Sequence, residues 1–134
     1  MELKRGRLID HVHLRAVDLA ATKRFYRATL ETLGIEVVEA EDYLYADEVW
    51  IDRGDTPSRV HLAFQAADQA AVDRWYEAGL AAGGRDNGPP GERHYHPGYY
   101  AAFLLDPDGN NVEAVFHGPS TRSADAVIVT PIGR

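Results

Sequence analysis

His11-Val-His-Leu-Arg-Ala-Val-Asp-Leu-Ala-Ala-Thr-Lys-Arg-Phe-Tyr-Arg-Ala-Thr-Leu-Glu-Thr-Leu-Gly34 lies without a gap over His61-Leu-Ala-Phe-Gln-Ala-Ala-Asp-Gln-Ala-Ala-Val-Asp-Arg-Trp-Tyr-Glu-Ala-Gly-Leu-Ala-Ala-Gly-Gly84, at an offset of fifty residues. Ten of the twenty-four positions are identical, among them His11/His61, Asp18/Asp68, Tyr26/Tyr76, Leu30/Leu80 and Gly34/Gly84. Self-similarity at a fixed period identifies a fold made from copies of one supersecondary unit. Each copy reads as a strand followed by a helix. Over 8–17, Val12, Leu14 and Ala16 alternate with His11, His13 and Arg15, so one strand face is apolar and the other polar. Asp18 then stands as an N-cap, Tyr26, Leu30 and Leu33 follow at helical spacing, and Gly34 supplies the stop. The second copy repeats this with a strand over 59–65, Asp68 as cap, a helix carrying Val72, Trp75, Tyr76 and Leu80, and Gly83-Gly84 as stop.

Working outward, 35–39, 43–45 and 49–53 are short β-prone runs that complete a βαβββ module over 8–53. Residues 54–58 form the hinge to a second module over 59–117. In that module, 85–98 carries Pro89, Pro90 and Pro97 among several glycines, which predicts a long polar loop around a short strand. Strands over 99–105 and 111–117 follow, joined by Asp106-Pro-Asp-Gly109, which has the residue order of a type I turn. The tail, 118–134, is less informative; its 126–129 run reads as a strand added to the body or to a partner chain. The expected fold is therefore a single α+β domain over 1–134, made of two tandem βαβββ modules.

Composition bounds the function. A chain of 134 residues buries roughly 68% of its unfolded surface and needs no covalent staple. With no cysteine, disulfides, thiolate zinc sites and iron–sulfur clusters are excluded, so any metal must be held by nitrogen and oxygen; a reducing cytoplasm is the expected compartment. The net charge of −7, without a Lys/Arg run long enough to track phosphates, argues against a nucleic-acid partner. Met1-Glu-Leu-Lys-Arg-Gly-Arg-Leu8 lacks an apolar stretch of signal-peptide length, and no run is long enough for a membrane span. A small-molecule partner is the expectation.

Two histidines brought toward one axis by the duplication, His11 and His61, need a third ligand to hold a metal. Glu113 is the candidate, because it lies on the last strand in an otherwise apolar Val112-Glu-Ala-Val-Phe116 stretch where an isolated carboxylate would be costly. Two imidazoles and a carboxylate make a facial triad with open positions, the arrangement of catalytic sites. Taken singly, His11 and Glu113 read as ordinary strand-face residues; the combination is what points to metal. His11-x-His13 is a competing chelating pair, disfavoured because Ala63 is the repeat-mate of His13. His13, one pleat away on the same face, is then the acid/base candidate, with a solvated rim histidine as the alternative. Arg15 and Gln65 share the inward faces and could bind an anionic or carbonyl group. His94, Tyr95, His96, Tyr99 and Tyr100 read as a substrate-binding lid, with structural packing of the tyrosines as the competitor.

These residues resemble the vicinal oxygen chelate superfamily, which includes glyoxalase I, extradiol dioxygenases, fosfomycin-modifying transferases and bleomycin-resistance proteins. The resemblance spans nearly the whole chain. It is carried by Ile9-Asp-His-Val-His-Leu14 with Phe25-Tyr26 and Leu33-Gly34, by Val60-His-Leu-Ala-Phe64, and by Asp106-Pro-Asp-Gly-Asn-Asn-Val-Glu113. It implies a curved mixed-sheet cup, commonly assembled across a homodimer, and a divalent ion (Zn, Fe(II), Ni, Mn or Co) on the matching His11, His61 and Glu113. Glyoxalase I adds a glutamate ligand near the end of the first module, where this chain offers only Asp52. The potassium-binding loop of fosfomycin transferases is replaced by Arg93-His-Tyr-His-Pro-Gly-Tyr-Tyr100. The expected function is a metal-dependent enzyme of glyoxalase-like type, with isomerase or lyase chemistry on a small substrate chelated through two oxygens. The alternatives are an Fe(II) extradiol-type dioxygenase, although those are usually about twice this length, and a non-catalytic drug- or metabolite-binding resistance protein.

Overall fold

The computed structural model describes residues 3–5 and 8–133. Its elements run β1 (Leu3–Arg5), β2 (Val12–Ala16), α1 (Leu19–Thr32), β3 (Val38–Glu39), β4 (Tyr43–Ala46), β5 (Val49–Arg53), β6 (His61–Gln65), α2 (Gln69–Ala81), β7 (Arg85–Glu92), β8 (Tyr100–Leu105), β9 (Asn111–Phe116) and β10 (Val127–Val129). Two four-stranded mixed sheets result, ordered β2-β5-β4-β3 and β6-β9-β8-β7. In each, the first strand pairs in parallel with the last and the remaining pairs are antiparallel. This is the expected βαβββ unit, made twice.

The helices begin and end alike because the repeat preserves their caps. Asp18 accepts from the Ala21 N–H at 3.1 Å and Asp68 from Ala71 at 2.7 Å, each carboxylate satisfying an orphan donor of the first turn. At the other end Gly34 takes φ +76°, with its N–H on the Glu31 carbonyl and that of Ile35 on Leu30, a Schellman closure that favours glycine at this position.

One core joins the units. Leu14, Ala16, Leu44, Ala46, Val49 and Ile51 turn from the first sheet toward the helices, and Ala102, Leu104, Val112 and Ala114 do so from the second, around fully buried Phe25, Tyr26, Val72 and Trp75. Helix α2 packs closely on both its sheet and α1: a Cβ on Gly79 would lie 2.2 Å from Leu104 Cδ1 of β8 and 3.1 Å from Thr29 Cγ2 of α1. The two sheets share no ladder. Because strand side chains alternate, the polar residues of both sheets are left on the faces turned away from the helices.

The segment expected as a long loop is mostly strand. β7 runs from Arg85 to Glu92 and pairs with β8, with register shifts between Asp86, Gly88 and Gly91. It is the edge of its sheet, so Pro89 and Pro90 need not donate to a second neighbour, and the irregular register takes up the residues that cannot pair. The loop proper is only 93–99. In the tail, β10 pairs antiparallel with β1, so the added strand joins the chain's own N-terminal segment. No helix among the described residues is long and apolar enough to cross a membrane.

Candidate functional site

Glu113 is held by the parallel pairing of β6 with β9. The register sets Ala63 opposite Glu113 and His61 opposite Asn111, so His61 and Glu113 are diagonal neighbours on one face, with the small Ala63 side chain between their strands. His61 Nε2 lies 2.5 Å from Glu113 Oε1, and the Tyr99 hydroxyl donates to Oε2 at 2.8 Å. An ionised carboxylate only accepts, so His61 carries its proton on Nε2 in this contact. Phe103 stands opposite Glu113 on β8, and its ring centroid is 6.1 Å from that of His61. The carboxyl group is consequently only 3% exposed, while His61 remains 52% exposed. Burying a carboxylate this deeply is tolerable because both of its oxygens have donors. Burial, then the hydrogen bond and negative charge of Glu113, push the Tyr99 hydroxyl up to about 12, so Tyr99 is a proton donor throughout the physiological range.

Above this pair the turn at 93–99 forms an aromatic cluster. The rings of Tyr95, His96 and His117 all pack on Tyr99, with centroids 4.9, 5.3 and 5.1 Å away, and His94 stacks obliquely on Tyr95. His96 donates from Nδ1 to the Pro97 carbonyl at 2.8 Å, which leaves its Nε2 as acceptor for His117 Nδ1, also at 2.8 Å. Four of the five expected lid residues are thus together, and His117 joins them from the end of β9. Tyr100 departs from the expectation. One residue further along the strand it turns to the helix side, where its hydroxyl donates to Asp73 of α2 at 2.7 Å. Gln65 does face the site side, but its amide oxygen already accepts from Arg122, delivered by the tail. Arg122 has no motif to mark it in the sequence.

The first sheet carries a second polar group. His13 donates from Nε2 to Asp52 at 2.8 Å, leaving Nδ1 as the lone-pair nitrogen, and Arg15 Nε lies 3.2 Å from the same carboxylate oxygen. Against a desolvation that would raise it, the hydrogen bonds from His13 and Trp50 and the Arg15 charge hold the Asp52 carboxyl below its ordinary value. His11, 63% exposed, places Nδ1 on Asp10 at 2.8 Å, and its Nε2 has no hydrogen bond among the described residues.

The duplication was expected to bring His11 and His61 toward one axis, in a site either within one chain or shared across a dimer. Among the described residues no three His, Asp or Glu side chains gather as a metal-holding group. The physical reason is the packing: the units meet through α1 and α2, whose contact turns the two polar sheet faces outward. His61 and Glu113 are assembled on one sheet, and His11, His13 and Asp52 stand on the other.

The family model for the glyoxalase/bleomycin resistance protein/dioxygenase superfamily matches residues 8–114. The chain belongs to this superfamily. A glyoxalase/bleomycin resistance protein from Albidiferax ferrireducens T118 is 32% identical over 81% of this chain and 97% of its own, with a TM-score of 0.70. A lactoylglutathione lyase from Agrobacterium tumefaciens is 25% identical over 84% of this chain and 95% of its own, with a TM-score of 0.56. A glyoxalase-related enzyme from Fulvimarina pelagi shares the fold at 20% identity and a TM-score of 0.69, over 92% of this chain and 98% of its own. Among curated proteins no match is found. The match places this chain in a superfamily that includes enzymes.

Proposed function

We propose that the protein is a divalent-metal-dependent enzyme of glyoxalase-like type, and that its site forms where the first sheet of one copy faces the second sheet of another. The observation that carries the reading is the buried Glu113 carboxylate beside His61, with its second oxygen fixed by Tyr99. The donor set fits a metal. Nitrogen and oxygen ligands of one ion, each at about 2.0–2.2 Å from it, lie about 3 Å apart, so the 2.5 Å pair needs only small side-chain rotations to accept one. His11 suits the third position chemically: Asp10 orients its ring through Nδ1 and leaves Nε2 outward, the way carboxylates commonly hold liganding histidines.

A bound ion supplies a Lewis acid for negative charge developing on a substrate oxygen. The chain's own residues do the rest. His13, with its tautomer set by Asp52, offers Nδ1 to take a proton from a carbon beside that oxygen and to return it elsewhere, which is isomerase or lyase chemistry. Asp52 steadies the imidazolium formed in between. Tyr99 keeps Glu113 oriented.

Metal analysis of tag-free protein after chelation and reconstitution tests the reading. We expect close to one equivalent of a transition metal per chain, a loss of affinity in Glu113→Gln of at least about tenfold, and little change in His94→Ala. Uptake below about a tenth of an equivalent would sink the proposal.

A further inference from the structure

The solvent face of the first sheet carries three aromatic rings that neither the core nor the metal-site candidates use. Tyr43 and Tyr45 on β4 and Trp50 on β5 share a face by strand alternation, with Tyr45 directly opposite Trp50 and Tyr43 opposite Asp52. Their rings are nearly parallel. Trp50 lies 4.4 Å from Tyr43 at 20° and 5.6 Å from Tyr45 at 6°. Tyr43 and Tyr45 are 6.3 Å apart at 23°, so the three form a stacked slab in which Trp50 lies offset and face to face with the tyrosines, and not a single column. None is in the core; Tyr45 is 37% exposed and the other two are partly exposed.

The slab has a charged border. Asp52 is engaged by His13 and Arg15, and its contact with Arg15 is through Nε; both Nη groups of Arg15 are without hydrogen bonds among the described residues. Gly54 leaves room for the Arg15 stem, since a Cβ there would come within 3.0 Å of Arg15 Cβ. A stack of aromatic rings bordered by a guanidinium with donors to spare suits a flat ring with a negative substituent: the ring extends the stack and the planar fork takes the anion.

We infer that the slab of Tyr43, Trp50 and Tyr45, with Arg15, is a binding surface for a planar conjugated acid, and that the substrate of the proposed site belongs to this class and not to the aliphatic acids. The inference rests on the functional reading above for the word substrate, but the binding surface exists with or without metal.

The experiment therefore uses metal-free, chelated protein and intrinsic fluorescence, since of the two tryptophans Trp75 is fully buried and only Trp50 is accessible to a probe. 2-Naphthoate should quench Trp50 saturably, and cyclohexanecarboxylate, equal in charge but saturated, should compete at least about tenfold more weakly. Calorimetric titration should show naphthoate affinity falling roughly tenfold in Trp50→Leu and recovering to within about threefold of the parent in Trp50→Phe. Arg15→Gln should weaken naphthoate by about tenfold while leaving 2-naphthamide unchanged. Equal binding of the two acids, or an unaltered naphthoate affinity in Trp50→Leu, would overturn the inference. So would failure of naphthoate to quench together with dissociation of Trp50→Leu into monomers in sedimentation, because the slab would then be covered by a second copy. A metal-analysis failure leaves this titration unaffected, so the two proposals fail separately.

Discussion

Asp106 shows how much one side chain decides. It is 2% exposed and collects donors on both oxygens: the Asp108 and Asn110 N–H groups on Oδ1, and the Asn110 amide with the Tyr26 hydroxyl on Oδ2. The turn motif was legible as a type I turn. That Tyr26, eighty residues earlier, is tied into it was not, because a buried hydrogen bond between distant residues leaves no periodicity. Burial first, then the charge of Asp106, raises the Tyr26 hydroxyl well above its ordinary value. In the unfolded chain tyrosine ionises near 10, so above that pH the unfolded state gains from losing a proton that folded Tyr26 keeps. The contribution is present below about pH 10 and is lost as pH rises toward the folded value. Denaturant unfolding from pH 8 to 11 should show stability falling, and Tyr26→Phe should be less stable at pH 8 but flatter, by up to about 1.4 kcal/mol per pH unit. Equal slopes would mean that Tyr26 does not keep its proton.

Among the elements, the paired helices matter most to the site, since their contact sets which sheet faces look outward. Gly79 makes the approach possible: a methyl group there would meet Leu104 and, at 3.1 Å, Thr29 Cγ2. Gly79→Ala gains helix propensity of about 1 kcal/mol but overpacks the contact by about 1–3 kcal/mol, so the net expectation is a loss of up to about 2 kcal/mol. A chemical-denaturation midpoint equal to or above that of the parent would show that Leu104 yields at no cost. Helices α1 and α2 were readable to within a residue or two from their caps and glycine stops, because these signals are local. Strand β7 was not: its prolines and glycines carry the composition of a loop, and only the edge position, a property of the assembled sheet, lets them pair.

At the scale of the whole molecule, the proposed site joins His11 of one copy to His61 of another. If two copies share the site, mixing His11→Ala with Glu113→Gln protein under exchange conditions should restore metal binding. Half of the dimers are then mixed, and each mixed dimer has one intact site out of two, so recovery should reach about a quarter of the parent stoichiometry. A site contained within one chain would show no recovery. The sequence by itself determined the duplicated βαβββ plan, both helices with their caps, the turn before Glu113 and the superfamily, because each is written in local spacing and in a repeat of fixed period. Only the tertiary structure decided which polar groups meet. His61 reaches Glu113 because parallel register makes them diagonal neighbours on one face, and Tyr99 closes over them from the turn that leads into β8. His11 stays apart because burying the apolar helix faces against each other turns the two polar sheet faces away from one another.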